Sequence, residues 1–67
     1  LARREADVLE LDLRSTSDID ASGLGILVLL QKRAREAGMA TRIRGAAPLL
    51  RRTIEGARLD HLFDFVD

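Results

Sequence analysis

Residues 20–38 read DASGLGILVLLQKRAREAG, a short polar turn followed by a long helix-forming segment. Residues 24–37 combine apolar side chains at helical spacing with good helix formers, so we predict the main helix of the protein there. Either Asp20 or Ser22 can supply the side-chain oxygen that caps its first turn. Gly38 is well placed as the left-handed residue that ends it. The segment therefore predicts one long helix that begins at a capped loop.

The sequence on either side of this helix alternates between strand-like and helix-like patterns. Residues 8–14, VLELDLR, alternate leucines with charged residues, the period of two that is typical of a half-buried strand. Residues 40–44 repeat that pattern weakly, and Pro48 suits the first turn of a second helix over residues 49–57. The tail, 59–66, is compatible with a helical turn followed by a strand. Strands that alternate with helices predict an α/β fold with a mostly parallel sheet.

Length and composition restrict the chain to one small domain. Cysteine is absent and His61 is the only histidine, so we expect no metal site, no cofactor and no cysteine nucleophile. The longest strictly apolar run, 26–30, is far short of the ~20 residues that span a bilayer, and we expect no membrane span. At this length the free energy of apolar burial roughly cancels chain entropy. Either the fold is very regular or the chain depends on a partner or on further residues, and we favour the second alternative.

Charge is distributed unevenly although the net charge is zero. Residues 1–20 carry six acids and three bases, residues 31–58 eight bases and two acids, and residues 59–67 three aspartates. The basic part is either ordinary solvated surface or a face that meets an acidic protein partner. No aromatic residue is interleaved with its arginines to stack on bases, so we do not expect nucleic-acid binding.

Helical geometry divides the main helix into two faces. At about 100° per residue, the stripe around Leu27 contains small residues and would pack on the sheet. Leu29 falls on the opposite side together with Lys32 and Arg33. Val28 lies on the flank between the two faces. Leu29 is either an incidentally exposed leucine or part of an apolar docking patch with a basic rim, which suits a protein partner better than a small molecule.

The loop before the helix has features of two kinds of chemical site, each of which lacks a residue that it needs. Its glycines leave N–H groups free at a helix start, as in a phosphate cradle, but the full glycine spacing and the lysine of a P-loop are missing. Ser22 as a nucleophile would need His61 as its base, and no residue is placed to orient that histidine. The loop therefore predicts neither a nucleotide site nor a hydrolase.

Several segments of the chain occur together in one known family. They are Asp20-Ala21-Ser22-Gly23-Leu24-Gly25 followed by an apolar helix, Lys32-Arg33-Ala34, Gly38, a short strand, Pro48, Arg51-Arg52 and Leu59-Asp60-His61-Leu62-Phe63. Over residues 8–65 the chain resembles the STAS domain of anti-sigma factor antagonists. The resemblance implies a STAS-like α/β fold, a small mixed sheet flanked by helices. Residues 1–67 would be the C-terminal two-thirds of that domain, with its N-terminal strands and first helix largely absent.

The resemblance also implies a function without catalysis. Such an antagonist binds an anti-sigma factor, usually a serine kinase of the GHKL type, in the bacterial cytoplasm. It thereby frees a sigma factor and regulates transcription. The residues that we expect at the partner-binding site are Asp20, Ala21, Ser22, Gly23, Gly25, Val28, Leu29, Lys32 and Arg33. In this interpretation Asp20 shapes the loop, Gly23 allows close approach, and Leu29 supplies apolar contact.

Two positions depart from the family pattern. The usual phosphoacceptor directly follows the aspartate, and here that residue is Ala21, which has no hydroxyl group. Either Ser22 accepts the phosphate or the loop is not switched by phosphorylation, and we favour the second alternative. A phosphate on Ser22 would add about −1.5 to −2 charges beside Asp18 and Asp20. Arg58 occupies the place where the family commonly has a glycine, so the turn after the second helix is expected to differ.

The resemblance also allows other binding partners, and the first residues of the chain need a separate interpretation. STAS domains also occur in stress-sensing complexes, in anion transporters and in a phospholipid-transport ATPase, and a small nucleotide-binding domain is a more distant alternative. Residues 1–6 are mostly good helix formers, and we interpret them as the end of a helix. An open sheet edge would then allow a homo-oligomer to form.

Overall fold

Side-chain alternation and strand pairing form the sheet, and helices connect its three parallel strands. In the computed structural model, which describes residues 2–5 and 7–66, the strands are β1 (Ala2–Glu5), β2 (Val8–Asp12), β3 (Ala40–Arg44) and β4 (Asp64–Val66). The helices are α1 (Ala21–Glu36) and α2 (Pro48–Gly56), and a 3₁₀ turn at Asp60–Leu62 precedes β4. The sheet order is β1-β2-β3-β4, with β1 antiparallel to β2 and the other neighbours parallel. The predicted α/β fold with a mixed sheet is confirmed.

The core lies between the sheet and the two helices. Leu11 of β2 and Ile43 of β3 are partners in register, and both are buried. From the helices, Leu27 of α1 and Leu50 and Ile54 of α2 pack against them. Each such side chain contributes about 1.5–3 kcal/mol when it leaves water. The alternation in β2 and β3 therefore fixes which face of the sheet the helices cover.

Glu10 lies on the other face of the sheet and is still only 3% exposed, because arginine side chains surround its carboxylate. Arg42 Nη2 lies 2.8 Å from Oε1, Arg44 Nε lies 3.2 Å from Oε2, and Arg3 Nη2 lies 3.4 Å from Oε2. The hydrogen bond from Arg44 is the main cause that lowers the pKa of Glu10, although burial opposes it. Arg42 and Arg44 of the basic segment therefore form ion pairs with Glu10 inside the chain.

The prediction of a helix end over residues 1–6 is wrong where the structure describes that segment, because Ala2–Glu5 forms β1. Pairing with β2 satisfies backbone groups along both strands. The contact from Arg3 to Glu10 ties the new strand to its neighbour. Leu1 and Ala6 lie outside the described residues.

The ends of the other elements follow local signals. α1 ends at Glu36, and Gly38 has a φ of 74°, the left-handed backbone that was predicted there. Pro48 opens α2 as predicted. The tail forms the helical turn followed by a strand. Arg58 has a φ of 60°, so the residue at the expected glycine position has the backbone conformation of a glycine.

Candidate partner-binding surface

Asp20 fixes the start of α1. Its Oδ1 accepts a hydrogen bond from the backbone N–H of Gly23 at 2.9 Å, and its backbone carbonyl accepts one from Leu24 at 2.9 Å. Of the two predicted caps, the structure therefore selects Asp20. This cap lets the helix begin at Ala21, three residues before the predicted start, despite the glycines in its first two turns.

Ala21 and Ser22 lie exposed in the first turn of α1. Since Asp20 provides the cap, the side chain of Ser22 is not needed to begin the helix. Its position in the first turn favours a negative charge through the helix dipole, whereas the nearby carboxylate of Asp20 disfavours one. Ser22 is therefore accessible to a modifying enzyme, and the helix dipole and Asp20 have opposite effects on a phosphate there.

The two loop glycines have different roles. A Cβ atom on Gly23 would lie 2.4 Å from Ile19 Cγ1, so this glycine is required for the chain's own packing. A Cβ atom on Gly25 would meet nothing within 4 Å. Gly23 thus allows the close approach of Ile19, and Gly25 leaves an open place on the outer side of α1.

The outer side of α1 carries apolar side chains in a stripe. Ile26 is 58% exposed and Leu29 is 48% exposed, whereas Val28 is half-buried. The prediction that Leu29 points away from the core is confirmed. Sequence reasoning missed Ile26, because it lies 100° from Leu27 and therefore at the border of the core-facing stripe. The i, i+3 spacing of Ile26 and Leu29 is the signal that would have indicated it.

Ile26 also borders an open groove of about 710 Å³ between α1, the adjoining loop and strands β1 and β2. The large apolar side chains in its lining are Leu11, Leu13, Ile19, Ile26, Leu27 and Leu30. Further along α1, Lys32 and Arg33 are exposed. We use the name helix surface for Ser22, Gly25, Ile26, Leu29, Lys32 and Arg33. This surface begins in the capped first turn of α1, has an apolar centre at Ile26 and Leu29, and ends in the basic residues Lys32 and Arg33.

A contact to α2 holds the loop in place. The hydroxyl group of Thr53 donates a hydrogen bond to Asp18 Oδ1 at 2.8 Å. Asp18 lies two residues before the helix cap, so α2 restrains the entrance to α1. The last residues of the loop are therefore held by two contacts, from Asp18 to α2 and from Asp20 to the first turn of α1.

The structure separates Ser22 from His61. Ser22 follows the carboxyl end of β2, whereas His61 lies in the 3₁₀ turn before the amino end of β4. Since β2, β3 and β4 run parallel, the carboxyl ends of these strands lie on one side of the sheet and their amino ends lie on the opposite side. Ser22 and His61 therefore lie at opposite ends of the strands. The topology agrees with the sequence-based argument against a serine hydrolase.

Among the described residues, no group of three His, Cys, Asp or Glu side chains is placed to hold a metal ion. None of the helices within residues 2–5 and 7–66 has the length and apolar character to span a membrane.

Comparison with known families identifies the fold. The family model described as "Mlab, STAS domain" matches residues 1–66. The chain therefore belongs to the STAS domain family, as its loop and helix motifs predicted. No curated protein and no solved structure matches the chain significantly.

Proposed function

We propose that this STAS domain is an anti-sigma factor antagonist, which binds an anti-sigma factor of the serine-kinase type and so frees a sigma factor. The observation that carries the proposal is the apolar stripe of α1 beside the capped loop, with Ile26 58% and Leu29 48% exposed. Exposed apolar side chains rimmed by charge are typical of protein-binding sites. The proposed activity is binding, without catalysis.

The shape of the helix surface supports a protein partner. Its centre is apolar, and Lys32 and Arg33 at its basic end can contact acidic groups on the partner. Such charge pairs raise the association rate more than they raise the affinity. The loop is already anchored by Asp18 and Asp20, so binding would order little additional backbone. We expect Ile26 and Leu29 to contribute most of the binding free energy.

A matched pair of leucine substitutions tests the surface. Leu29 and Leu49 are 48% and 56% exposed, and they lie on different helices. Binding to the GHKL-type kinases of the source organism is measured by calorimetry for the wild type, Leu29→Asp and Leu49→Asp. We expect one kinase to bind the wild type and Leu49→Asp, and to bind Leu29→Asp at least ~10-fold more weakly, a loss of ~1.4 kcal/mol. Failure of every kinase to bind the wild type contradicts the proposal.

The second part of the test concerns the release of the sigma factor. Adding the wild-type protein to the kinase, its sigma factor and RNA polymerase should restore transcription in vitro, and Leu29→Asp should not restore it. If the protein binds the kinase but does not restore transcription, it is a protein-binding domain without the antagonist role.

Ser22 decides whether the loop is a switch. We propose that it is not, because the acceptor position holds Ala21 and because Asp20 lies beside Ser22. The binding kinase is incubated with ATP and the protein, and phosphate is located by mass spectrometry with Ser22→Ala as the control. Phosphate on Ser22 in the wild type would contradict the unswitched loop and leave the binding proposal standing.

The second candidate is a STAS domain that serves another protein, as in a stress-sensing complex, an anion transporter or a phospholipid-transport ATPase. The description of the matching family model names Mlab and does not name an anti-sigma factor. This description supports the second candidate function. It uses the same helix surface with a different partner. Binding of such a protein, sensitive to Leu29→Asp, with no kinase bound would select it.

A further inference from the structure

Gly25 and Leu29 form a hole and a knob on the same side of α1. They are four residues apart, so they point within about 40° of each other. Leu29 is 48% exposed, and the place of a Cβ atom on Gly25 is open for at least 4 Å. A helix that carries both can pack on a copy of itself, with each leucine over the other copy's glycine.

We infer that a second copy of this chain packs on the helix surface, α1 against α1 and antiparallel, as a two-fold symmetric dimer. When the helices cross at the level of Leu27, residue 29 of each copy lies opposite residue 25 of the other. The same register brings Lys32 opposite the partner's Ser22. Ile26 lies beside the crossing point and is covered as well.

Charge selects the antiparallel orientation. Residues 32–36 carry Lys32, Arg33 and Arg35 against Glu36, a net charge of +2. Residues 18–20 at the other end carry Asp18 and Asp20, a net charge of −2. Antiparallel helices bring the basic end of one copy to the acidic end of the other, and parallel helices bring like ends together. The helix dipoles also oppose each other in the antiparallel pair.

This dimer concerns the chain alone and does not rest on the proposed function. The dimer covers the surface that we propose for the partner, so a partner and a second copy exclude each other. The strength of self-association therefore sets how much protein is free to bind.

Sedimentation over a range of protein concentrations tests the dimer. We expect the wild type to dimerise, and Leu29→Asp to raise the dissociation constant at least ~10-fold. Gly25→Ala should also weaken the dimer, because its methyl group fills the hole. Gly56→Ala is the matched control, since a Cβ atom there also meets nothing within 4 Å, and it should leave the dimer unchanged. A wild type that is monomeric at all concentrations overturns the inference.

Disulfide cross-linking tests the orientation independently of stability. The chain has no cysteine, so single-cysteine variants report on one position each. A mixture of Ser22→Cys and Lys32→Cys should form the mixed disulfide under mild oxidation, in preference to Ser22→Cys with itself. Preference for the latter overturns the antiparallel register. Dimerisation that survives Leu29→Asp places the second copy elsewhere, at the sheet edge for example, and also overturns it.

Discussion

Arg58 holds a backbone conformation that costs a side-chain-bearing residue about 1–2 kcal/mol relative to the right-handed region. Its φ of 60° ends α2 in the way that a glycine commonly does. Arg58→Gly removes that strain but gives the unfolded chain more freedom, which offsets part of the gain. We expect the free energy of unfolding to rise by roughly 0.5–1 kcal/mol.

Denaturant unfolding of Arg58→Gly measures this change. Arg52→Gly, in the interior of α2, is the control and should lower the free energy of unfolding by about 1 kcal/mol. A lower free energy of unfolding in Arg58→Gly would show that the Arg58 side chain stabilises the fold by more than its left-handed backbone destabilises it.

Asp20 is the residue on which the start of α1 depends. Asp20→Ala removes the acceptor for the N–H of Gly23 and should lower the free energy of unfolding by about 1 kcal/mol. Asp20→Asn keeps an oxygen at the same place and should stay close to the wild type. Thermal unfolding of the three proteins checks this, and equal midpoints for alanine and asparagine would contradict the cap.

At the scale of the element, α1 has two faces with different tasks. Leu27 is 5% exposed and packs in the core, whereas Leu29 is 48% exposed. Leu27→Ala should lower the free energy of unfolding by about 2–5 kcal/mol. At protein concentrations at which the chain is monomeric, Leu29→Ala should change it by no more than about 0.5 kcal/mol. Circular dichroism during urea unfolding measures both, and similar losses would place Leu29 in the core.

Periodicity predicted the elements that bury one face. β2, α1 and α2 repeat apolar residues at the spacing of their own backbone, and β3 alternates Thr41 and Ile43 with arginines. All four elements lie within a few residues of the predicted ends. β1 was missed because Ala2–Glu5 has one apolar residue and takes its structure from pairing with β2. Propensity alone favoured a helix there, and tertiary pairing overrode it.

The candidate site was predictable in part for a similar reason. Asp20 and Leu29 act through local geometry, a cap and a helical angle, which a sequence displays. The groove beside Ile26 and the arginines around Glu10 depend on which strands become neighbours. Arg42 and Glu10 are 32 residues apart, and no local pattern links them.

For the whole molecule, acid should weaken the fold through β2. Hydrogen bonds from Arg44 hold the pKa of Glu10 below 4.5, and those from Arg14 hold the pKa of Asp12 well below 3.8. A carboxyl group whose folded pKa is lowered stabilises the fold above its unfolded pKa, and this stability is lost as the pH falls through the folded value. We therefore expect the stabilisation from these two carboxyl groups to be complete at neutral pH and to be lost progressively as the pH falls through the acid range.

Glu10→Gln tests this dependence. The variant should be less stable than the wild type at neutral pH, because the arginines around residue 10 lose their counter-charge. Its thermal midpoint should fall less steeply between neutral and acid pH than that of the wild type. Parallel curves for the two proteins would show that Glu10 does not carry the acid response.

The position of β3 between β2 and β4 sets the order in which backbone amides exchange with heavy water. Ile43 in its middle has no exposed surface, and neighbouring strands protect it on both sides. β1 has one neighbour among the described residues and can separate while the rest stays closed. β4, with three residues, likewise pairs with one strand among the described residues. Deuterium should therefore enter both outer strands early and the centre of β3 last.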